Sequence, residues 1–202
     1  MSSSARPEPV VTNTTPLRYF ALVDQIDILA STVGGRILVP RQVFDPDEPV
    51  DALGRLLSEI GRSEAHWAAR SAGNPEATEN WSRLMALRKR DDIEIVDLTD
   101  EELEVYAELI SPEFARSMGL AGTLGPGEGA VMAIAEARDW EAALDEAAAR
   151  RVLEHRSPAT SIVTTTELLR RAVGAGLLTS PQAQNVYRDM LTKGYRGPDS
   201  LW

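Results

Sequence analysis

The chain has 202 residues, 43% of them hydrophobic and 26% charged, with a formal net charge of -10 and no cysteine. That balance fits one soluble globular domain, and the missing cysteines exclude disulfides, thiolate catalysis and cysteine-ligated zinc while fitting a reducing, cytoplasmic setting. The acidity argues against nonspecific nucleic-acid binding through the overall field, which needs Lys and Arg to displace phosphate counterions; it leaves room for a local basic groove, a cation among carboxylates or a basic partner.

Residues 1–9, small and polar with two prolines, read as a flexible leader to a single domain over 10–202. They lack the apolar centre of a signal peptide, and no apolar run approaches the roughly 20 residues that cross a bilayer, so no membrane association is expected. Val10 to Thr12 predicts a short buried strand ending at Asn13. One helix is expected after it, with Pro16 in its first turn and an apolar stripe of Leu17, Phe20, Ala21, Ile28 and Leu29. RILVP, 36–40, reads as a second strand stopped by Pro40.

From 51 to 90 the period is helical, first in Leu53, Leu56, Leu57 and Ile60, then in Trp81, Leu84 and Met85 after a break at Gly73 to Pro75; this predicts a helical hairpin. IEIVDL, 93–98, predicts a third strand. Thr99 and Glu102 then open a helix as a capping box, and SPEF restarts one after Ile110. LGPGEGAVMAIAEARDW, 124–140, is a glycine-rich turn feeding a helix. AALD, 142–145, is a short strand followed by the helix EAAARRVLEH, and SIVTTTELLRRAV, from 161, repeats strand, turn and helix. The alternation predicts an α/β class chain: a three-layer α/β/α sandwich with a mainly parallel central sheet and the hairpin as an insertion.

Ligands of such sheets collect beyond the carboxyl ends of the strands. Asn13, Asp45 with Asp47 and Glu48, Asp145, and Thr164 to Thr166 all follow strands, and Glu128 lies in the first turn of its helix. Acids converging at one sheet edge would suit a hard dication such as Mg2+ or Mn2+, which takes oxygen ligands. Each residue also has a structural use. Glu128 suits a helix dipole, Asp145 could cap the next helix, the acids at 45–48 sit among prolines as turn residues do, and Thr164 with Glu167 matches a capping box. His66 and His155 lack metal-ligand spacing, and LGPGEG lacks the Gly-Lys-Ser/Thr of a phosphate-binding loop.

In order, VVTNTTPL, RILVPRQVF, LGPGEGAVMAIAEA, ALDEAAARRV and SIVTTTELLRRAVGAGLL resemble the PIN domain family, especially its prokaryotic branch related to toxin nucleases. The resemblance runs over about residues 10–178, interrupted by the hairpin at 51–90. It implies a metal-dependent endoribonuclease, as in the toxin of a toxin-antitoxin pair, with Mg2+ or Mn2+ as cofactor. By position, Asn13 takes the place of the first acid, Asp45 or a neighbour the second, Glu128 the third and Asp145 the fourth. Asn13 departs from the pattern, since an amide oxygen is neutral where the family offers a charge. Three readings follow: a slow or Mn2+-preferring nuclease, an enzyme that borrows a carboxylate from Asp24, Asp47 or Glu48, and a catalytically inactive PIN-like module that binds RNA or protein.

For the enzyme readings, Asn13, Asp45, Glu128 and Asp145 are the expected catalytic and metal residues, activated water attacks the phosphodiester in line, and Thr14, Thr15 and Thr164 bind phosphate or water. RNA also needs cations near that acidic mouth: Arg36 and Arg41, Arg88 to Arg90, or Arg150 and Arg151, of which Arg150 fits the family's usage. Trp67 and Trp81 are expected to stand exposed on the hairpin, as a dimer face or a groove for an antitoxin-like partner, the alternative being a local cap over the core.

Overall fold

A computed structural model of the protein describes residues 9–48 and 58–202. Leader residues 1–8, and 49–57 with Leu53, Leu56 and Leu57 of the expected hairpin, lie outside the described residues. Five strands, β1 (Val10–Thr12), β2 (Ile37–Pro40), β3 (Ile93–Val96), β4 (Glu141–Ala143) and β5 (Ile162–Val163), form one all-parallel sheet in the order β3-β2-β1-β4-β5. Val11 pairs with Leu38 on one side and Ala142 on the other. Val10, Val11, Ile37, Val39, Ala142, Ala143 and Val163 are buried, as expected for short apolar strands covered on both faces. Each lies where the sequence places a strand, but β3 and β4 stop before Asp97 and Asp145, which stand just beyond the pairing.

The helix expected after β1 is two helices, α1 (Thr14–Leu22) and α2 (Ile26–Thr32). Asp24 takes a left-handed backbone at φ 58° and the Gln25 N–H closes on the Phe20 carbonyl at 2.8 Å, which ends α1; the apolar stripe continues across the break and so conceals it. The hairpin is present as α3 (Glu59–Ala68) and α4 (Pro75–Ala86), packed on each other and capped by Ser58 and Asn74. After β3 come α5 (Asp100–Leu109), opened by the expected Thr99 and Glu102 capping box, α6 (Pro112–Ser117) and α7 (Pro126–Arg138). Helix α8 (Ala147–Arg156) follows β4, and α9 (Thr165–Gly174) follows β5 with the Thr164 and Glu167 capping box. Helix α10 (Ser180–Thr192) was not anticipated, although Thr179 and Gln182 form a capping box of the same kind.

The helices separate into two packed groups, α1 to α4 with α9 and α10, and α5 to α8. That division follows from the strand order. The chain steps outward from β1 through β2 to β3, then crosses to β4 and steps the other way, and right-handed crossovers put the two runs of helices on opposite faces. Helix α7 packs against β1, β2 and β4 and is buried nearly all round from Gly127 to Ala135, the pattern of a core helix rather than a surface one. The tryptophans correct an expectation. Trp67 packs partly buried against the core, and Trp81 is also partly buried, so neither stands out as an exposed aromatic of the hairpin. Among the described residues no helix is long and apolar enough to cross a membrane.

Candidate active site

Strand order reverses between β1 and β4, and the crevice beyond such a switch point is where α/β sheets take ligands. Asn13 follows β1 there, its backbone N–H donating to the Ala143 carbonyl at 3.2 Å, and Asp145 stands two residues past β4. Asn13 is the N-cap of α1, yet its side chain caps nothing. Its Nδ2 instead donates to Glu128 Oε1 at 3.3 Å, while Oδ1 is buried without a hydrogen-bond partner.

A carboxylate absent from the sequence reading completes this corner. Glu59, the first residue of α3, accepts from the Thr14 hydroxyl and, at 2.9 Å, from the Gly127 N–H at the start of α7. Gly127 shows how closely the groups approach: a methyl group added there would fall 2.6 Å from both Asn13 Oδ1 and Glu59 Oε2. Only glycine leaves that space to the side-chain oxygens. Burial pushes the Glu128 carboxyl above its usual range and the Glu59 carboxylate pushes it further, opposed by the Asn13 hydrogen bond; Glu146 adds to the rise. Two carboxylates and one amide, with an orphaned oxygen between them, are hard donors, and Arg62, 3.8 Å from Glu59 Oε1, is the cation beside them. Among the described residues, no group of three or more His, Cys, Asp or Glu side chains is placed to hold a metal ion.

Asp145 is held differently. It accepts from the Thr165 N–H at 3.1 Å, the Thr165 hydroxyl at 2.6 Å and the Tyr195 hydroxyl at 2.6 Å. It does not cap the helix that follows it, since α8 has Glu146 as N-cap and no side-chain capping bond; the N–H that it accepts is at the start of α9. Burial raises the Asp145 carboxyl above its ordinary value despite these three donors, and the Asp145 charge in turn helps burial to raise Tyr195. Asp145 opens into a cleft of about 860 Å³ whose lining includes Thr15, Thr164, Arg150, Arg18, Arg170 and Arg196. Three of the residues expected to bind substrate, Thr15, Thr164 and Arg150, therefore share one cavity with Asp145, while Thr14 is engaged with Glu59.

Asp45 does not join the corner of Asn13 and Glu128. Arg41 pairs with it at 3.0 Å, and it lines a separate cleft with Glu48 and Ser58. Glu48 accepts from the Ser58 N–H and hydroxyl, whereas Asp47 and Asp24 are exposed, so none of the three supplies the borrowed carboxylate. Glu59 escaped notice because the period of the hairpin reads through it; the available signal was Ser58, a helix N-cap directly before an acid, with a ligand-bearing strand edge nearby in space but not in sequence.

The arginine candidates divide clearly. Arg36 pairs with Glu94, Arg41 with Asp97 and Asp45, Arg88 with Glu64, and Arg90 with Asp92 and Asp27. Arg150 faces the cleft with its Nε buried and unpartnered, as does Arg18, which the sequence reading overlooked. His155 is exposed, and His66 lies at the surface against Trp67.

No family model matches the chain, and no curated protein matches it. Among solved structures it is similar to the crystal structure of VapBC2 from Rickettsia felis bound to a DNA fragment from their promoter, at 14% identity and a TM-score of 0.40, covering 77% of this chain and 98% of that one. A likeness that slight carries no argument beyond itself.

Proposed function

We propose that the protein is a PIN-like, divalent-metal-dependent endoribonuclease whose corner at the β1 and β4 switch point replaces the missing first acid with Glu59. The observation that carries this reading is the placement of Glu59 beside Glu128 and Asn13, which supplies the second carboxylate that Asn13 takes away. The resemblance of the sequence stretches around Asn13, Glu128, Asp145 and Thr164 points the same way. The donor set fits Mg2+ or Mn2+: Glu59 and Glu128 would hold the ion, with Asn13 Oδ1 as a neutral third oxygen, while Asp145 faces the adjoining cleft from the next strand end and is not a ligand of the same ion. When bound, such an ion lowers the pKa of water and offsets charge gathering on a phosphodiester.

The chain's own residues do the rest. Thr14 and the Gly127 N–H keep Glu59 turned toward Glu128, and a weaker, amide-containing set favours Mn2+ over Mg2+. Thr165 and Tyr195 hold Asp145 at a fixed angle at the cleft floor. Arg150 and Arg18 line the cleft and would set positive charge beside the phosphates of a strand lying in it, and Thr15 and Thr164 offer hydroxyls. Purified protein is expected to cleave single-stranded RNA with Mn2+, more slowly with Mg2+ and not in EDTA. Glu59→Gln and Asp145→Asn should each abolish cleavage, while Asn13→Asp should strengthen it. An unchanged rate in Asp145→Asn rejects the mechanism.

A second reading, an inactive PIN-like module that binds RNA or protein, draws on Asn13 itself. Calorimetric titration separates the two, because the module predicts no uptake of Mn2+ or Mg2+ at millimolar concentration.

A further inference from the structure

Glu59, Arg62, Ser63, His66 and Trp67 of α3 fall at i, i+3, i+4, i+7 and i+8, one face of the helix over a span of about 12 Å. All five line a single cleft of about 470 Å³, closed on its other side by Tyr19, Leu22 and Lys193. This face is half exposed, the buried residues of α3 being Ile60, Gly61 and Glu64. It begins with an acid of the proposed catalytic corner and ends two turns later in an imidazole and an indole, with Arg18 and Lys193 opposite. Arg18, Tyr19 and Gly194 also line the larger cleft that holds Asp145, so the two cavities adjoin.

We propose that the smaller cleft is a nucleobase subsite, in which an unpaired base of single-stranded RNA stacks on Trp67 and accepts a hydrogen bond from His66. The proposal rests on the nuclease reading for its ligand class and adds the element that selects single strands. A cation for the backbone beside an aromatic face for the base is the combination with which proteins hold single-stranded nucleic acid, whereas a duplex keeps its bases stacked on one another. His66 is set for the task. Arg70 Nη1 lies 2.8 Å from His66 Nδ1, and a guanidinium can only donate, so Nδ1 is the acceptor and the ring proton sits on Nε2. Burial, with the charges of Arg70 and Arg18, lowers the imidazole's pKa and keeps it neutral, a fixed donor to a base oxygen or ring nitrogen. His66 meets Trp67 edge to face at 5.2 Å between ring centres, which holds both rings in place.

The test is binding in EDTA, which removes cleavage from the measurement. Titrating the full chain with a single-stranded 12-mer RNA should quench tryptophan fluorescence, and the Trp67→Phe variant should lose most of that quenching while keeping its melting temperature and its affinity to within a few-fold. Trp67→Ala should weaken binding about tenfold, the scale of one lost base stack, and a duplex of the same sequence should quench little. Undiminished quenching in Trp67→Phe, or an unchanged Kd in Trp67→Ala, overturns the subsite. If the RNA binds as described and is never cleaved with Mn2+, the nuclease reading falls and the subsite stands. If Trp67→Ala cleaves with the wild-type KM, the subsite falls and the nuclease stands. Should Trp67 variants lose only the binding of a protein partner and no RNA, the cleft is a protein-docking groove and the proposal is wrong.

Discussion

Glu128 is held as an acid against its own charge. Burial and the nearby Glu59 carboxylate raise its folded pKa above the ordinary 4.5, and no arginine or lysine is among the groups that act on it. A carboxyl raised in this way stabilises the fold below its unfolded pKa, and that advantage is lost as pH rises through the folded value, so at neutral pH the ionised group is a net penalty. Glu128→Gln is therefore expected to melt a few degrees higher than wild type at pH 7, where each kcal/mol is worth roughly 2–4 °C in a domain this size, and to melt like wild type near pH 3.5. Thermal denaturation at the two pH values checks it; equal melting at pH 7 would mean that the charge is already compensated. Asn13 gives the complementary case. Asn13→Asp adds a third carboxylate to a corner where Arg62, 3.8 Å from Glu59, already faces two, so metal-free protein should melt lower than wild type. Saturating Mn2+ should raise its melting temperature by more than it raises that of wild type, because ligand stabilisation grows with [L]/Kd. A smaller Mn2+ shift in Asn13→Asp would show that the added acid does not face the ion.

The hairpin α3–α4 is an element with two duties, and its stability and its chemistry reside in different residues. Glu64, 2% exposed at its side chain, is paired with Arg88 at 2.6 Å, and the same guanidinium donates to the Pro46 and Glu48 carbonyls at 2.8 and 3.0 Å. Arg88 thus ties the 3-10 turn Leu87–Lys89 to both α3 and the loop after β2. Arg88→Met leaves a buried carboxylate without a partner and should cost about 3 kcal/mol in urea unfolding, whereas pairing it with Glu64→Leu should return most of that loss. Additive losses in the double variant would show that the backbone contacts, not the ion pair, matter. In the sequence Arg88 reads as a cation on a solvated helix face or facing RNA, since nothing local distinguishes a buried partner from a solvated face. Elements whose signal is local were legible: the capping boxes at Thr99 and Thr164 are where their residues place them, and the helix after the glycine-rich stretch is present, starting at Pro126 so that Gly127 and Gly129 lie in its first turn. The break at Asp24 was not, because it lies in the backbone conformation of a residue that is also at home in a helix.

On the scale of the molecule, the strand order carries the argument that charge alone could not. Reversal of the sheet between β1 and β4 brings residues 13, 59, 128 and 145 to one edge from four separate stretches of chain, and only Asn13, Glu128 and Asp145 follow motifs that mark them in the sequence. Glu59 became visible through packing, as did the sorting of arginines into those cancelled by carboxylates and those left facing the cleft. That sorting bears on how a chain of charge -10 could bind RNA at all. The overall field repels a polyanion, and Arg36, Arg41 and Arg90 pair with acidic neighbours, so on the nuclease reading attraction would come from Arg18, Arg150, Arg170 and Arg196 around one cavity. For a single strand, log K falls by about 0.7 per log unit of salt for each phosphate neutralised, so four cleft arginines predict a shallow slope, on the order of -2 to -3. Anisotropy titrations in EDTA between about 50 and 200 mM salt measure it directly. Arg150→Ala should flatten the slope by about 0.7 and weaken binding at low salt, while Arg36→Ala, which only frees Glu94, should leave the slope where it was. The same slope in wild type and Arg150→Ala would remove the cleft beside Asp145 as the path of the strand.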